Sequence, residues 1–112
     1  MIRCIIIGAG RIALSHLPHI LNHAELQLVA IVEPSLIARF IFKRLSGVTV
    51  VSSIDKLDKT DFDAVFILTP PHSHFSIAYP LLDEGKHIFL EKPFTLCPKQ
   101  SEQLVNLAVM RD

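Results

Sequence analysis

The chain opens on Arg3-Cys4-Ile5-Ile6-Ile7-Gly8-Ala9-Gly10-Arg11-Ile12-Ala13, and this stretch decides the fold. Its apolar, β-branched half predicts a buried strand, which ends directly at a Gly-x-Gly-x-x-Ala turn followed by an amphipathic helix. Gly8 allows the tight turn, Gly10 lets the main chain approach phosphates, and Ala13 lets the helix pack close to the strand. The free N–H groups at the start of the helix, near Arg11, then suit the pyrophosphate of a dinucleotide.

A second apolar run, residues 26–32, ends at Glu33, which lies 25 residues after Gly8. An acidic residue at the end of the second strand holds the ribose hydroxyls in dinucleotide-binding folds. Glu33 would repel a 2′-phosphate, so the pattern favours NAD, with NADP the less favoured cofactor. Arg39 could reach a 2′-phosphate, although a surface role is the simpler interpretation. The alternative to dinucleotide binding is that this strand–turn–helix–strand is purely structural and that Glu33 lies on the surface.

Composition narrows the class of protein. The 112 residues suit one domain, and half of them are hydrophobic, which is enough for a packed core. Eleven basic residues balance eleven acidic ones, so nothing indicates binding to nucleic acid or to an anionic membrane. No apolar run approaches the ~20 residues of a membrane helix, and no signal-peptide pattern precedes the first strand.

The cysteine and histidine patterns indicate neither a disulfide nor a metal site. The two cysteines, Cys4 and Cys97, are far apart in sequence and favour a reduced, cytoplasmic setting. His16, His19 and His23 have helix-like spacing, but no nearby cysteine or carboxylate pair completes a ligand set, so we predict no metal.

Strand and helix patterns alternate along the whole chain. This alternation predicts an α/β fold, a doubly wound parallel sheet with strand order 3-2-1-4-5. The inner face of the first helix is expected to carry Ile12, Leu17, Ile20 and Leu21. Residues 52–60 are expected to be a loop with one helical turn. The predicted strands are residues 2–7, 26–32, 48–51, 64–68 and 87–90, and the predicted helices are 11–22, 35–46, 73–84 and from 98 onward.

Three motifs stand in one order: Gly8-Ala9-Gly10-Arg11-Ile12-Ala13, Thr69-Pro70-Pro71-His72-Ser73-His74 and Glu91-Lys92-Pro93. The set resembles the Gfo/Idh/MocA (glucose–fructose oxidoreductase / inositol dehydrogenase) family of nicotinamide-dependent oxidoreductases over essentially all of the chain. The resemblance implies that residues 1–112 are the family's N-terminal dinucleotide-binding (Rossmann) domain. The sixth Rossmann strand and the family's C-terminal α+β substrate domain are expected to be absent.

The resemblance also implies roles for individual residues. The residue at the catalytic position is Lys92, which would assist the proton transfer that accompanies hydride transfer. Glu91 would orient Lys92 beside the cofactor or cap the strand end. The other implied cofactor-binding residues are Gly8, Ala9, Gly10, Arg11 and Ile12 at the pyrophosphate, Glu33 at the adenosine ribose, and Thr69, Pro70 and His74 toward the nicotinamide.

Three functions follow as expectations. The first is the NAD(P)-binding domain of an oxidoreductase that acts on a sugar, polyol or related alcohol, with little turnover by this chain alone. The second is a free-standing nucleotide-binding module without catalysis, and the third is an α/β domain that binds no nucleotide. The fifth strand would lie at an open sheet edge, which together with the resemblance favours a homo-oligomer.

Overall fold

The structure is a computed structural model that describes residues 1–90 and 95–111. Its centre is one sheet of five parallel strands in the order β3-β2-β1-β4-β5, as the sequence predicts. In the pairing of β1 with β2, Cys4 lies opposite Leu28 and Ile5 lies opposite Ala30. The residue between them in β2, Val29, has no partner in β1 and shifts the register there. The strands are β1 Ile2–Ile7, β2 Leu26–Val32, β3 Thr49–Val51, β4 Ala64–Ile67 and β5 His87–Leu90.

Four α-helices flank the sheet within the described residues. A short 3₁₀ helix, Pro71–Ser73, precedes the third of them. None of the helices in the described part of the chain is both long and apolar enough to cross a membrane. The helices are α1 Arg11–Asn22, α2 Leu36–Ser46, α3 His74–Asp83 and α4 Pro98–Arg111.

The central strand β1 supplies side chains to a core on each face of the sheet. Cys4 and Ile6 point to the side that α1 and α2 cover, while Ile5 and Ile7 point to the side that α3 and α4 cover. This alternation follows from the two-residue period of a strand. All four side chains are buried, as expected of a parallel sheet with helices on both faces. Burial also raises the pKa of the Cys4 thiol to about 11, so this thiol is protonated.

The inner face of α1 differs from the expectation. Ala13, Leu17 and Ile20 are buried, but Ile12 and Leu21 are exposed. The small Ala13 sets the centre of the contact with the sheet. At about 100° per residue, Ile12 and Leu21 then lie roughly a quarter-turn from that centre, one on each side. The sequence prediction was therefore wrong for these two residues.

Several element ends also differ by a residue or two. Helix α2 begins at Leu36 because Ser35 is its N-cap, with the Ser35 hydroxyl accepting from the Ala38 N–H at 3.3 Å. The sequence predicts a loop with one helical turn over residues 52–60, whereas the structure has two 3₁₀ turns in this region, Ile54–Lys56 and Lys59–Asp61. Two turns form because Ser53 caps the first and Asp58 the second, each through its side-chain oxygen.

An ion pair ties β1 to β4 at the amino end of the sheet. Arg3 donates to Asp63 through Nη2 at 3.0 Å and through Nε at 3.2 Å, and the Asp63 N–H donates to the Arg3 carbonyl at 2.8 Å. The hydrogen bond from Arg3 lowers the pKa of Asp63, and the charge of Arg3 acts in the same direction.

We predict that Asp63→Asn lowers the melting temperature at pH 7 by a few degrees at most, because both side chains are part-exposed. The folded-state pKa lies below the unfolded value of about 3.9. The stabilisation is therefore present above that pH and is lost as the pH falls through the lowered folded-state pKa. Thermal melts of wild type and variant at pH 7 and near pH 3 check this, with the exposed Glu25→Gln as control. An equal difference at both pH values would contradict the prediction.

Candidate functional site

A cleft of about 600 Å³ lies where the carboxyl ends of β1, β2 and β4 meet. The chain passes from β1 to β2 and β3 on one side, and then crosses to β4 on the other side of β1. Ligands of open α/β sheets bind at such a switch point. The cleft is lined by Ile7, Gly8, Ala9, Gly10, Val32, Glu33, Pro34, Ser35, Ala38, Leu68, Thr69, Pro70, His72, Ser73 and Ile77.

Gly8 brings the ends of β1 and β4 into direct contact. Its φ of +102° lies in the region that side-chain-bearing residues rarely adopt. A Cβ placed there would lie 2.9 Å from Thr69 Cγ2 and 3.0 Å from the carbonyl carbon and oxygen of Leu68. The Gly8 N–H donates to the Val32 carbonyl at 2.9 Å. Gly8 therefore connects the first turn to both neighbouring strand ends.

Gly10 faces open space instead. A Cβ at this position would meet no protein atom within 4 Å, and its φ of −108° is ordinary for any residue. Gly10 is the N-cap of α1 and carries no side chain to cap the helix. Because the first N–H groups of a helix have no intrahelical partner, this end of α1 can receive an anion. The space at Gly10 is what a phosphate needs in order to reach those groups.

The carboxylate of Glu33 joins the glycine turn to the start of α2. Its Oε1 accepts from the Ala9 N–H at 2.8 Å, and its Oε2 accepts from the Ser35 N–H at 2.7 Å. Arg39 lies beside it, with Nη1 donating to the carbonyls of Glu33 at 3.0 Å and Pro34 at 2.7 Å. Glu33 is thus held at the cleft wall by protein amides.

The turn after β4 is held by its own side chains. His74 is 1 % exposed, and its Nε2 lies 2.8 Å from the Thr69 carbonyl oxygen. A carbonyl can only accept, so Nε2 carries the proton in this contact. The Ser73 hydroxyl lies 2.7 Å from Thr69 Oγ1 and 2.9 Å from the Pro70 carbonyl. The buried ring of His74 therefore holds the turn from the protein interior, while His72 lines the cleft.

Most of the predicted cofactor residues come together in this structure. Arg11 and Ile12 are exposed at the start of α1, beside the lining. The predicted Glu91 and Lys92 lie outside the residues that the structure describes. The predicted cofactor residues that line the cleft are Gly8, Ala9, Gly10, Glu33, Thr69 and Pro70.

Sequence reasoning missed several lining residues that carry recognisable signals. Ser35 lies two residues after Glu33, and serine is a residue type typical of a helix N-cap. His72 and Ser73 lie inside the motif after β4, and Ile77 follows Ser73 by one helical turn. Among the described residues, no group of three or more His, Cys, Asp or Glu could hold a metal ion, and His16 instead packs edge-on against Phe89 at 5.5 Å.

We predict that Gly8→Ala lowers the free energy of unfolding by at least about 2 kcal/mol, because it combines backbone strain with overlap against the Thr69 turn. Chemical denaturation measures the change. The control is Gly85→Ala, where φ is +86° but a Cβ meets nothing within 4 Å, so only the strain remains. Equal losses in the two variants would show that the contact with Thr69 costs nothing.

Comparison with known proteins agrees with this geometry. The oxidoreductase family with an NAD-binding Rossmann fold, Gfo/Idh/MocA, matches residues 2–112. The scyllo-inositol 2-dehydrogenase (NAD(+)) of Bacillus subtilis is 29% identical over 104 residues, which are 90% of this chain and 30% of the dehydrogenase. The UDP-N-acetylglucosamine 3-dehydrogenase of Acidithiobacillus ferrooxidans is 39% identical over 59 residues, 53% of this chain and 18% of the relative.

Solved structures superpose closely as well. KijD10, a 3-ketoreductase from Actinomadura kijaniata crystallised with NADP and TDP-benzene, gives a TM-score of 0.89 at 29% identity, covering 98% of this chain and 34% of KijD10. The WlbA dehydrogenase of Bordetella pertussis, crystallised with NADH and UDP-GlcNAcA, gives 0.88 at 27% identity, covering 98% of this chain and 35% of WlbA. The chain thus spans about a third of the length of these two structures. It belongs to the Gfo/Idh/MocA oxidoreductase family, as an NAD(P)-binding Rossmann domain.

Proposed function

We propose that the cleft binds NAD in preference to NADP, and that the protein to which this domain belongs oxidises or forms a sugar, polyol or related alcohol. The observation that carries the proposal is the open position at Gly10. It lies at the amino end of α1, in a cleft whose wall also holds the Glu33 carboxylate. Relatives named for an inositol and for a UDP-sugar support this substrate class.

The hydrogen bonds indicate which amides would meet the pyrophosphate. The Ala9 N–H is already engaged by Glu33, so the phosphates are expected to use the N–H groups of Gly10, Arg11 and Ile12. The exposed side chain of Arg11 adds a positive charge at the same helix end. The start of the turn is fixed ahead of these groups, because the N–H groups of Gly8 and Ala9 donate to the Val32 carbonyl and to the Glu33 carboxylate.

The ribose end supports the preference for NAD. Each carboxylate oxygen of Glu33 accepts one amide hydrogen and keeps a lone pair for a ribose hydroxyl. A 2′-phosphate would bring like charge against this carboxylate. Arg39, the nearby cation that could offset that charge, is held by the carbonyls of Glu33 and Pro34.

Lys92 is the proposed proton carrier. The cofactor, when bound, accepts or supplies the hydride. The hydroxyl proton of an alcohol substrate would pass to the Lys92 amine as the carbinol carbon loses hydride, and would return in the reverse direction. Because β5 is parallel to the other strands, its last residue, Leu90, lies at the cleft edge of the sheet and the motif with Lys92 follows in sequence. Substrate positioning needs more than this domain, so we expect little turnover by the 112-residue chain itself.

We also propose a cytoplasmic location for the protein. Cys4 and Cys97 are both free thiols, which is the ordinary state in a reducing compartment. The absence of binding to nucleic acid and membranes stays a prediction from the balanced charge.

We predict that Gly10→Val weakens NADH binding at least tenfold while the melting temperature changes little, because the new side chain enters open space that the phosphates need. Calorimetric titration of NADH into the folded chain measures the affinity. The control, Ser15→Val, adds the same branched side chain to an exposed position of α1 and should leave binding unchanged. A wild-type chain that gives no NADH signal, or a Gly10→Val variant that binds like wild type, would overturn the proposal.

We predict that Glu33→Gln lowers the preference for NADH over NADPH severalfold, because the amide keeps the shape and an acceptor for Ala9 but loses the charge and the acceptor for Ser35. Parallel titrations with both cofactors give the ratio of dissociation constants. Asp55→Asn, which removes a charge from the neighbouring 3₁₀ turn, is the control for a general charge effect. An unchanged ratio in Glu33→Gln would show that Glu33 does not select the cofactor.

A further inference from the structure

Thr69 is held in the cleft by three separate contacts. Its methyl group packs against Gly8, where an added Cβ would lie 2.9 Å from Thr69 Cγ2. Its carbonyl oxygen lies 2.8 Å from Nε2 of the buried His74. Its hydroxyl oxygen lies 2.7 Å from the hydroxyl oxygen of Ser73, and both residues line the cleft. The direction of the Thr69 hydroxyl is therefore set by the protein before any ligand binds.

The Ser73 hydroxyl has one hydrogen and two acceptors within reach. Thr69 Oγ1 lies at 2.7 Å and the Pro70 carbonyl oxygen at 2.9 Å. When Ser73 donates to Pro70, Thr69 donates to Ser73 and keeps a lone pair for the cleft. When Ser73 donates to Thr69, the hydrogen of Thr69 is released to the cleft, and the Pro70 carbonyl still accepts from the Ser73 N–H at 3.1 Å. The two hydroxyls can thus offer a ligand either an acceptor or a donor, and only hydrogens have to move.

We propose that Ser73 is a positioning residue for the dinucleotide, which holds the Thr69 hydroxyl ready for a ribose hydroxyl of the nicotinamide half. The inference rests on the proposed binding of NAD and adds to it a residue that acts through its neighbour. It depends on where the two hydroxyls lie relative to the glycine turn and on the chemistry of the group they would meet.

The two hydroxyls lie across the glycine turn from Glu33. The strand order β2-β1-β4 places Glu33 after β2, Gly8 and Gly10 after β1, and Thr69 after β4. A dinucleotide with its adenosine ribose at Glu33 and its pyrophosphate at Gly10 continues toward β4. The group that follows the pyrophosphate in that direction is the second ribose. Thr69 is therefore on the side of the cleft where this sugar would lie.

A ribose hydroxyl matches what Thr69 and Ser73 can offer. It donates one hydrogen bond and accepts others, so either arrangement of the two protein hydrogens gives it a partner. An ionised phosphate oxygen only accepts and would use one arrangement alone. Without the Ser73 hydroxyl, Thr69 Oγ1 would lose its partner in the protein, and the Thr69 hydroxyl would have to be oriented when the ligand binds. That ordering would lower the affinity.

His72 offers a competing contact from the same turn. Its side chain lines the cleft and is exposed, whereas Thr69 and Ser73 are half-buried. A contact between the second ribose and His72 would not need the Ser73 hydroxyl. Removing that hydroxyl therefore distinguishes the two arrangements.

The test is calorimetric titration of Ser73→Ala with two probes, NADH and ADP. ADP carries the adenosine and both phosphates but lacks the second ribose. We expect NADH to bind about fivefold more weakly than to wild type, the effect of one lost hydrogen bond, and ADP to bind equally well to both. The matched control is Ser76→Ala, which removes a hydroxyl that donates to the Ser73 carbonyl at 3.1 Å outside the cleft lining. It should leave both affinities unchanged.

The outcomes separate this inference from the proposed function. If wild type binds NADH and Ser73→Ala binds it equally well, the role of Ser73 is overturned and the cofactor proposal stands. Equal weakening of NADH and ADP would show that Ser73 only shapes the turn, and would also overturn its role. A wild-type chain that gives no NADH signal would overturn the proposed function and this inference with it.

A double-mutant cycle tests the route through Thr69. Thr69→Val keeps the methyl group that packs against Gly8 and removes the hydroxyl, so by itself it should also weaken NADH and not ADP. Ser73→Ala should then cost no further NADH affinity in the Thr69→Val background, because Ser73 acts through that hydroxyl. Circular dichroism checks that each variant is folded. Equal losses from Ser73→Ala in the two backgrounds would contradict the inference.

Discussion

The missing side chain of Gly8 is the constraint on which the cleft depends. With a φ of +102° and only about 3 Å between its virtual Cβ and the atoms of Leu68 and Thr69, this residue has no room for any substituent. The close approach sets how near the ends of β1 and β4 can lie, and so fixes the width of the switch point where a dinucleotide would cross the sheet. Gly10, two residues on, has the opposite property of open space, so the two glycines of one turn serve packing and ligand access separately.

Hydrogen bonds then join three loops into one wall. Glu33 accepts from Ala9 in the first loop and from Ser35 in the second, and the turn after β4 contacts Gly8 while being held by His74. Each loop is short, and the hydrogen bonds of Glu33 with Ala9 and of His74 with Thr69 are part-buried. A ligand that binds against this wall does not have to order the loops, which lowers the entropic cost of binding. The acidic group expected at the ribose is also a structural part of the site.

The fold could be predicted almost completely from the sequence because its signals are local. Apolar runs of four to seven residues, separated by glycines, caps and helical periodicity, leave few alternatives to a parallel sheet. The errors arise where tertiary contacts decide. The rotation of α1 follows from where Ala13 meets the sheet, which Ile12 and Leu21 cannot reveal by spacing alone. The extra residue in β2 opposite Cys4 and Ile5 likewise depends on pairing across strands.

The site could be predicted in outline for the same reason. Glycine positions and the acidic residue after β2 occupy fixed places in a strand–turn–helix, so Gly8, Gly10 and Glu33 could be placed by counting. The direction of the His74 side chain could not be predicted, because it depends on how α3 packs once the turn has formed. His74 is buried, and the histidine that lines the cleft is His72. The side of α2 that turns to the sheet also needed the structure. The sequence shows only that the helix is rich in apolar residues, and the burial of Phe42 identifies the side turned to the sheet, which leaves Ile37 and Phe40 facing outward.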